Sequence, residues 1–203
     1  MKKQKSFTYP IIFMTVVTAF FVSILSTFSQ ATKDTIAFNN ESELRYKILY
    51  IFDILPESKN PKDIEKVFNE RVEERLAGRK NIYVLMDGEK EVSYAVPVEG
   101  PGLWGTISGY VGLNEDFSTI TGIDFVKQSE TPGLGGRISE ESYKEQFRGI
   151  DISNSQDGKF IVSSPQSGSN VDAIAGATQT SSAVEKLINE DLNDFFDELE
   201  VKQ

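Results

Sequence analysis

The hydrophobic pattern divides the chain early. Ile11 to Phe28 form an unbroken uncharged run, which at about 1.5 Å per residue reaches close to 30 Å, the thickness of a bilayer core. The reading is a transmembrane helix over residues 11–30, with a linker over 31–39 and one domain over 40–203. In that domain Leu44, Ile48, Ile51, Phe52 and Leu55 recur at helical spacing, with Asn40 and Glu43 as a capping pair and Pro56 as the stop. A second helix is expected from Pro61, with Ile64, Val67, Phe68, Val72 and Leu76 inward. The period then changes. Ile82–Met86 and Val92–Val98 read as a hairpin around a type I′ Asp87-Gly88 turn, and Thr106–Leu113 and Thr119–Val126 as two more strands. Ser139–Phe147 reads as a short helix and Phe160–Val162 as a last strand. The closing helix carries Val184, Leu187, Ile188 and Leu192 on one face, with Ser182 and Glu185 spaced as a capping box. Strands in the middle and helices at both ends predict an α+β fold with a central antiparallel or mixed sheet flanked by helices.

Charge gives the anchor a direction. Lys2, Lys3 and Lys5 precede the apolar run and no acidic residue occurs before Asp34, which predicts a cytoplasmic basic N-terminus over 1–10 and an extracytoplasmic main domain. Ser29-Gln30-Ala31 would also serve as a signal-peptide cleavage site, but the apolar run is long for a signal peptide, so a retained single-pass anchor in a bacterial cytoplasmic membrane is the expectation. Setting those three lysines aside, 21 basic and 31 acidic residues leave a net charge of −13 on the rest. Such a surface argues against binding nucleic acid or anionic lipid. The 203 residues include no Cys and no His. Disulfides, thiolate metal sites, Cys nucleophiles and Ser-His-Asp catalysis are thereby excluded, leaving carboxylates, hydroxyls or a borrowed cofactor for demanding chemistry.

Three stretches carry candidate chemistry. The first is Asp172-Ala173-Ile174-Ala175-Gly176-Ala177-Thr178-Gln179-Thr180-Ser181-Ser182, a small-residue loop opening onto a helix. Gly176 and Ala177 leave the backbone approachable, four hydroxyls line the approach, and a helix start favours a phosphate. On these grounds it is either a capped helix after a polar loop or an attachment site with four candidate hydroxyls. The second, Gly100-Pro101-Gly102-Leu103-Trp104-Gly105, spells a dinucleotide fingerprint, yet strand rather than helix follows, so it reads as a glycine-rich turn with Trp104 packed on the core. The third runs from Ser129 to Ile138. Its Thr131-Pro132-Gly133 suits a type II turn, and Gly135-Gly136 keeps a bare backbone on which a flat ring could rest.

Taken together, Asp172 to Thr178 and Glu130-Thr131-Pro132-Gly133-Leu134-Gly135 resemble the two signatures of the FMN-binding domain family, the first written D-x-x-(S/T)-G-A-(S/T). That family includes NqrC of the sodium-translocating NADH:quinone reductase and RnfG of the Rnf electron-transport complex. The resemblance implies one FMN per chain, esterified through its phosphate to Thr178 by a flavin transferase that recognises Asp172. It places Gly176, Ala177 and Thr180 at the attachment loop, and Glu130, Thr131, Gly133, Leu134 and Gly135 beside the ring. The Gly-Leu-Trp-Gly run resembles a segment of the NqrC proteins, which implies that Leu103 and Trp104 border the flavin. Ala175 stands where Ser or Thr is usual, and Lys127-Gln128-Ser129 where a His is usual. The implied function is electron relay within a membrane-bound, ion-translocating oxidoreductase, with its other membrane subunits as partners. Two alternatives stay open: a stand-alone tethered flavoprotein serving extracytoplasmic electron transfer, and a flavin-free binding or assembly module of the same fold.

Overall fold

The computed structural model describes residues 8–153, 155 and 158–200. The N-terminal lysines therefore lie outside the described residues. The chain divides into two units, Met1–Glu41 and Ser42–Gln203.

Helix α1 runs without a break over Thr8–Ile51. The stretch 31–39, expected as a linker, is helical, and Asn40 and Glu43 sit inside the helix rather than capping a new one. No Gly or Pro occurs between Pro10 and Pro56, so nothing local interrupts the ladder. Within the apolar part the hydroxyls of Thr15, Ser23 and Thr27 donate to the carbonyls of Ile11, Ala19 and Ser23, at 2.7–2.9 Å, which satisfies them inside the helix. By length and composition this helix suffices to cross a membrane. It ends at Ile51, ahead of Pro56, where Asp53 turns left-handed at φ 57°. Helix α2 (Pro61–Arg71) starts where expected, Asn60 accepting the Lys62 N–H at 2.8 Å and Pro61 filling the first turn.

Five antiparallel strands follow in sequential order: β1 (Val72–Ala77), β2 (Lys80–Asp87), β3 (Lys90–Pro101), β4 (Thr106–Asn114) and β5 (Ile120–Lys127). Strand β1 takes the place of the expected end of α2. Val72 and Leu76 are four apart, a spacing that fits period 3.6 and period 2 alike. Val72 is buried, whereas Leu76, on this edge strand, is exposed. The β2–β3 hairpin also differs from expectation. Asp87 pairs with Lys90, so the loop is Gly88-Glu89, and only Gly88 has positive φ (66°). That is the Gly-first arrangement of a II′ turn, not a type I′ turn centred on Asp87-Gly88.

Alternation along the strands gives the sheet two apolar faces. On one, Tyr83, Leu85 and Ala95 meet Ile48, Leu49 and Ile51 of α1, Phe52 just past its end, and Ile64 of α2. On the other, Val84, Val96, Val98, Ile107 and Val111 meet the closing helix (Thr178–Glu200) through Val184, Leu187, Ile188, Leu192 and Phe195. The expected helix 139–147 is a succession of short turns around α3 (Glu141–Lys144), and the closing helix is α4. Phe160–Val162 is not a strand. The N–H groups of Phe160 and Ile161 are taken by Asn189 Oδ1 of α4 at 3.0 and 2.9 Å, so a side chain replaces the ladder. The α+β class holds, with a wholly antiparallel sheet.

Candidate functional site

Helix α4 begins at Thr178, four residues before the Ser182–Glu185 box, which does not cap it. A tight turn sets the true start. Gly176 adopts φ 78°, the Ala177 N–H bonds to the Ile174 carbonyl at 2.9 Å, and Ser181 Oγ accepts the Ile174 N–H at 3.0 Å. Glu185 instead accepts the Ser163 N–H at 3.0 Å. Thr178 is thus the first residue of a long helix, where unpaired N–H groups and the positive end of the dipole favour an anion.

Burial sorts the four hydroxyls. Thr178 and Ser182 are exposed, whereas Thr180 and Ser181 are 1% and 0% exposed. Thr180 Oγ1 donates to Glu130 Oε2 at 2.7 Å, and Ser181 Oγ to the Ala177 carbonyl. Only Thr178 combines the helix start with access from solvent. Asp172 is exposed too, its N–H held by Gln146 Oε1 at 2.7 Å. Beside Asp172–Ala175 opens a cavity of about 310 Å³, which Arg137, Glu140 and Tyr143 also line. Burial pushes the Tyr143 hydroxyl well above its ordinary range.

The second signature folds as its residues predict. The Leu134 N–H bonds back to the Thr131 carbonyl at 3.1 Å with Gly133 at φ 73°, a type II turn with Pro132 at its first corner. Thr131, Gly133 and Leu134 are exposed and Gly135 is buried. A Cβ built on Gly176 would lie 3.3 Å from Leu134 Cδ2, so this turn and the attachment loop adjoin. The remaining stretch closes as a turn between β3 and β4, the Gly102 N–H bonding to the Gly105 carbonyl at 2.7 Å. Trp104 is not packed on the core. It is 70% exposed and Leu103 50%, as central residues of a tight turn at a hairpin tip.

One side chain joins all three stretches. Glu130 is 5% exposed. Its Oε1 accepts the N–H groups of Leu103 and Trp104 at 2.9 and 3.1 Å, while its Oε2 accepts Thr180 Oγ1. Sequence reasoning placed Glu130 at the ring's edge, and this bridging role is one it missed. The assembled surface suits a phosphate-linked flat ligand. It offers an exposed hydroxyl at a helix start, exposed apolar side chains from Leu103, Trp104 and Leu134, and a bare backbone at Gly176.

Residues 102–193, which hold all three stretches apart from Gly100 and Pro101, match the FMN-binding domain family. NqrC of Vibrio anguillarum, part of a Na(+)-translocating NADH-quinone reductase, is 32% identical over 142 residues, covering 66% of this chain and 56% of its own. Its counterpart in Pseudomonas aeruginosa is 34% identical over 117 residues, covering 53% and 44%. The chain therefore spans about half the length of the curated relatives it matches. The fold is shared with the crystal structure of NqrC from Parabacteroides distasonis, at TM-score 0.67 and 24% identity over 82% of this chain and 96% of that one. It is shared also with Shewanella oneidensis NqrC, at TM-score 0.63 and 22% identity over 80% and 98%.

Proposed function

We propose that this chain, whose residues 102–193 match the FMN-binding domain family, carries one FMN on Thr178 through a phosphoester. In this reading it relays electrons as an NqrC-type component of a sodium-translocating NADH:quinone reductase. The observation that carries the reading is that the three stretches are joined through Glu130 at the first turn of α4, a helix whose first residue is the exposed Thr178. The named relatives, all NqrC proteins, support that assignment over RnfG. With the apolar helix Thr8–Ile51 as a single-pass anchor, the domain faces away from the cytoplasm and meets the other membrane subunits of the complex there.

The residues divide the work. Thr178 Oγ1 would hold the FMN phosphate as an ester, its hydroxyl losing its proton in the transferase reaction as the bond from the phosphorus to the leaving group of an activated FMN donor breaks, and the N–H groups of the first helical turn would receive the phosphate's remaining charge. Leu103, Trp104 and Leu134 offer the ring an apolar surface, and Gly176 keeps the attachment loop clear of side chain. Asp172, exposed beside the loop, is available to a flavin transferase. Bound FMN supplies the one- and two-electron steps that a chain without Cys or His does not provide. The tether matters outside the cytoplasm, where a dissociated flavin would be diluted away, because attachment fixes its local concentration.

The test is the intact mass of the full chain coproduced with a flavin transferase. One FMN per chain is expected, mapped by peptide fragmentation to Thr178, and Thr178→Ala should fold normally with no flavin. An unmodified wild-type chain would overturn the reading. Flavin retained by Thr178→Ala would move the attachment to Ser182, the other exposed hydroxyl of the stretch.

A further inference from the structure

We propose that Glu130 is a positioning residue, a buried clamp that holds the Leu103–Trp104 turn against the first turn of α4 and so keeps the apolar wall at a fixed place relative to Thr178. The role of the wall rests on the flavin reading above; the clamp itself does not.

Three observations carry it. The groups that meet at the Glu130 carboxylate come from 26, 27 and 50 residues away, and in the hydrogen bonding of the described residues this carboxylate alone links the β3–β4 turn to α4's first turn. Next, Leu103 and Trp104 are half or more exposed, so their side chains contribute little anchorage from the core, and backbone bonds to Glu130 have to place the turn. Lastly, the surroundings are carved to fit the carboxylate. A Cβ on Gly135 would lie 2.5 Å from Thr180 Oγ1 and 2.8 Å from Glu130 Oε2, and one on Gly102 would lie 2.5 Å from Glu130 Oε1. Any side chain at either glycine would push the carboxylate out of reach of its donors.

The chemistry explains why a carboxylate holds this post. A carboxylate accepts several hydrogen bonds at once, and charge-assisted bonds are about twice as strong as neutral ones. Burying it is costly unless every donor is in place, so a displaced turn would leave a buried charge poorly satisfied. The same bond keeps the Thr180 hydroxyl inside, two residues from the attachment point.

Trp104 is the chain's only tryptophan, so its emission reports the turn directly, with or without flavin. The experiment uses the full chain in detergent micelles, with and without flavin transferase, as wild type, Glu130→Ala, Glu130→Gln and Thr180→Val. Without flavin, Glu130→Ala should lower the fluorescence anisotropy of Trp104. Glu130→Gln should keep it, because an amide oxygen still accepts the two N–H groups and the amide nitrogen can donate to Thr180. With flavin, Glu130→Ala should retain one FMN by mass but lose most of the flavin's visible circular dichroism, and Glu130→Gln should preserve both. Thr180→Val cuts only the link to α4. It should lose dichroism while keeping anisotropy, and it takes over the test if Glu130→Ala does not fold. Wild-type anisotropy and dichroism in both Glu130→Ala and Thr180→Val would overturn the clamp. A wild type without FMN, with anisotropy still falling in Glu130→Ala, would overturn the flavin reading and leave the clamp standing.

Discussion

The two faces of the sheet are equally dry and do different things. On one, Ile48, Leu49 and Ile51 of α1 are fully buried; on the other, Val184, Ile188 and Leu192 of α4 are as deep. Both coverings are amphipathic helices on an alternating sheet, and their contributions to stability are of one kind. The difference lies at the helix ends. α2 opens on Asn60, which caps its own helix, and α1 closes on a left-handed Asp53. α4 opens on Thr178, beside two glycine-rich turns and linked to them through Glu130. A helix packed along its length has its first residue placed by everything behind it. On the α4 face, then, core packing and site geometry are one problem, and on the α1 face they are separate.

Core truncation breaks that comparison hardest. Ile188→Ala and Leu49→Ala remove fully buried side chains from opposite faces, and each should cost about 2–5 kcal/mol in denaturant unfolding. Only Ile188→Ala should also weaken the flavin's visible dichroism, since it loosens the helix that carries Thr178. Equal dichroism in the two variants would show that the α4 start is held by its loop alone.

A smaller effect sharpens the same contrast. A Cβ on Gly135 would meet Thr180 and Glu130, while one on Gly112 would lie 2.3 Å from Thr121 Oγ1 and 2.5 Å from Ile51 Cγ2 on the α1 face. As overpacking substitutions, Gly135→Ala and Gly112→Ala should each destabilise by about 1–3 kcal/mol. Trp104 anisotropy should fall in Gly135→Ala and stay at the wild-type value in Gly112→Ala. A fall in both would mean that strain spreads through the whole sheet.

What the sequence made legible follows the range of each interaction. Periodicity located α2, β2 to β5 and the buried face of α4, because those patterns repeat within a few residues. Pro132 and Gly133 fixed a turn that their own φ preferences dictate. Strand β1 was hidden because Val72 and Leu76 fit both periods. The start of α4 was displaced because Ser182 and Glu185 have capping spacing, whereas the helix is started by the left-handed Gly176 and a bond from Ile174 to Ser181 seven residues on. Phe160–Val162 looked like a strand because nothing local reveals that Asn189 would occupy its N–H groups. At the site, the signatures named the residues but not their duties. Glu130 meets groups up to 50 residues away from it in the chain, a distance over which a single sequence carries no pairing information.

The mildest expected effect is of pH, and it bears on both faces. On the α1 side, the hydrogen bond from the Tyr50 hydroxyl, helped by Arg148, holds the Glu145 carboxyl below its ordinary range. On the α4 side, the Arg79 N–H and then its guanidinium do the same for Glu198. A carboxyl whose folded pKa is depressed contributes stability that is fully present above its unfolded value, about 4.3 for Glu, and lost as pH falls through the folded one. With no His or Cys in the chain, no side chain of ordinary pKa titrates between about pH 5 and 8. Stability measured in denaturant should therefore be level across that range and decline below about pH 4.3. Glu145→Gln and Glu198→Gln should each flatten part of the acid decline, by small amounts because neither group is buried. A step in stability between about pH 6 and 7 would require a strongly shifted buried carboxyl and would break the expectation of a level profile.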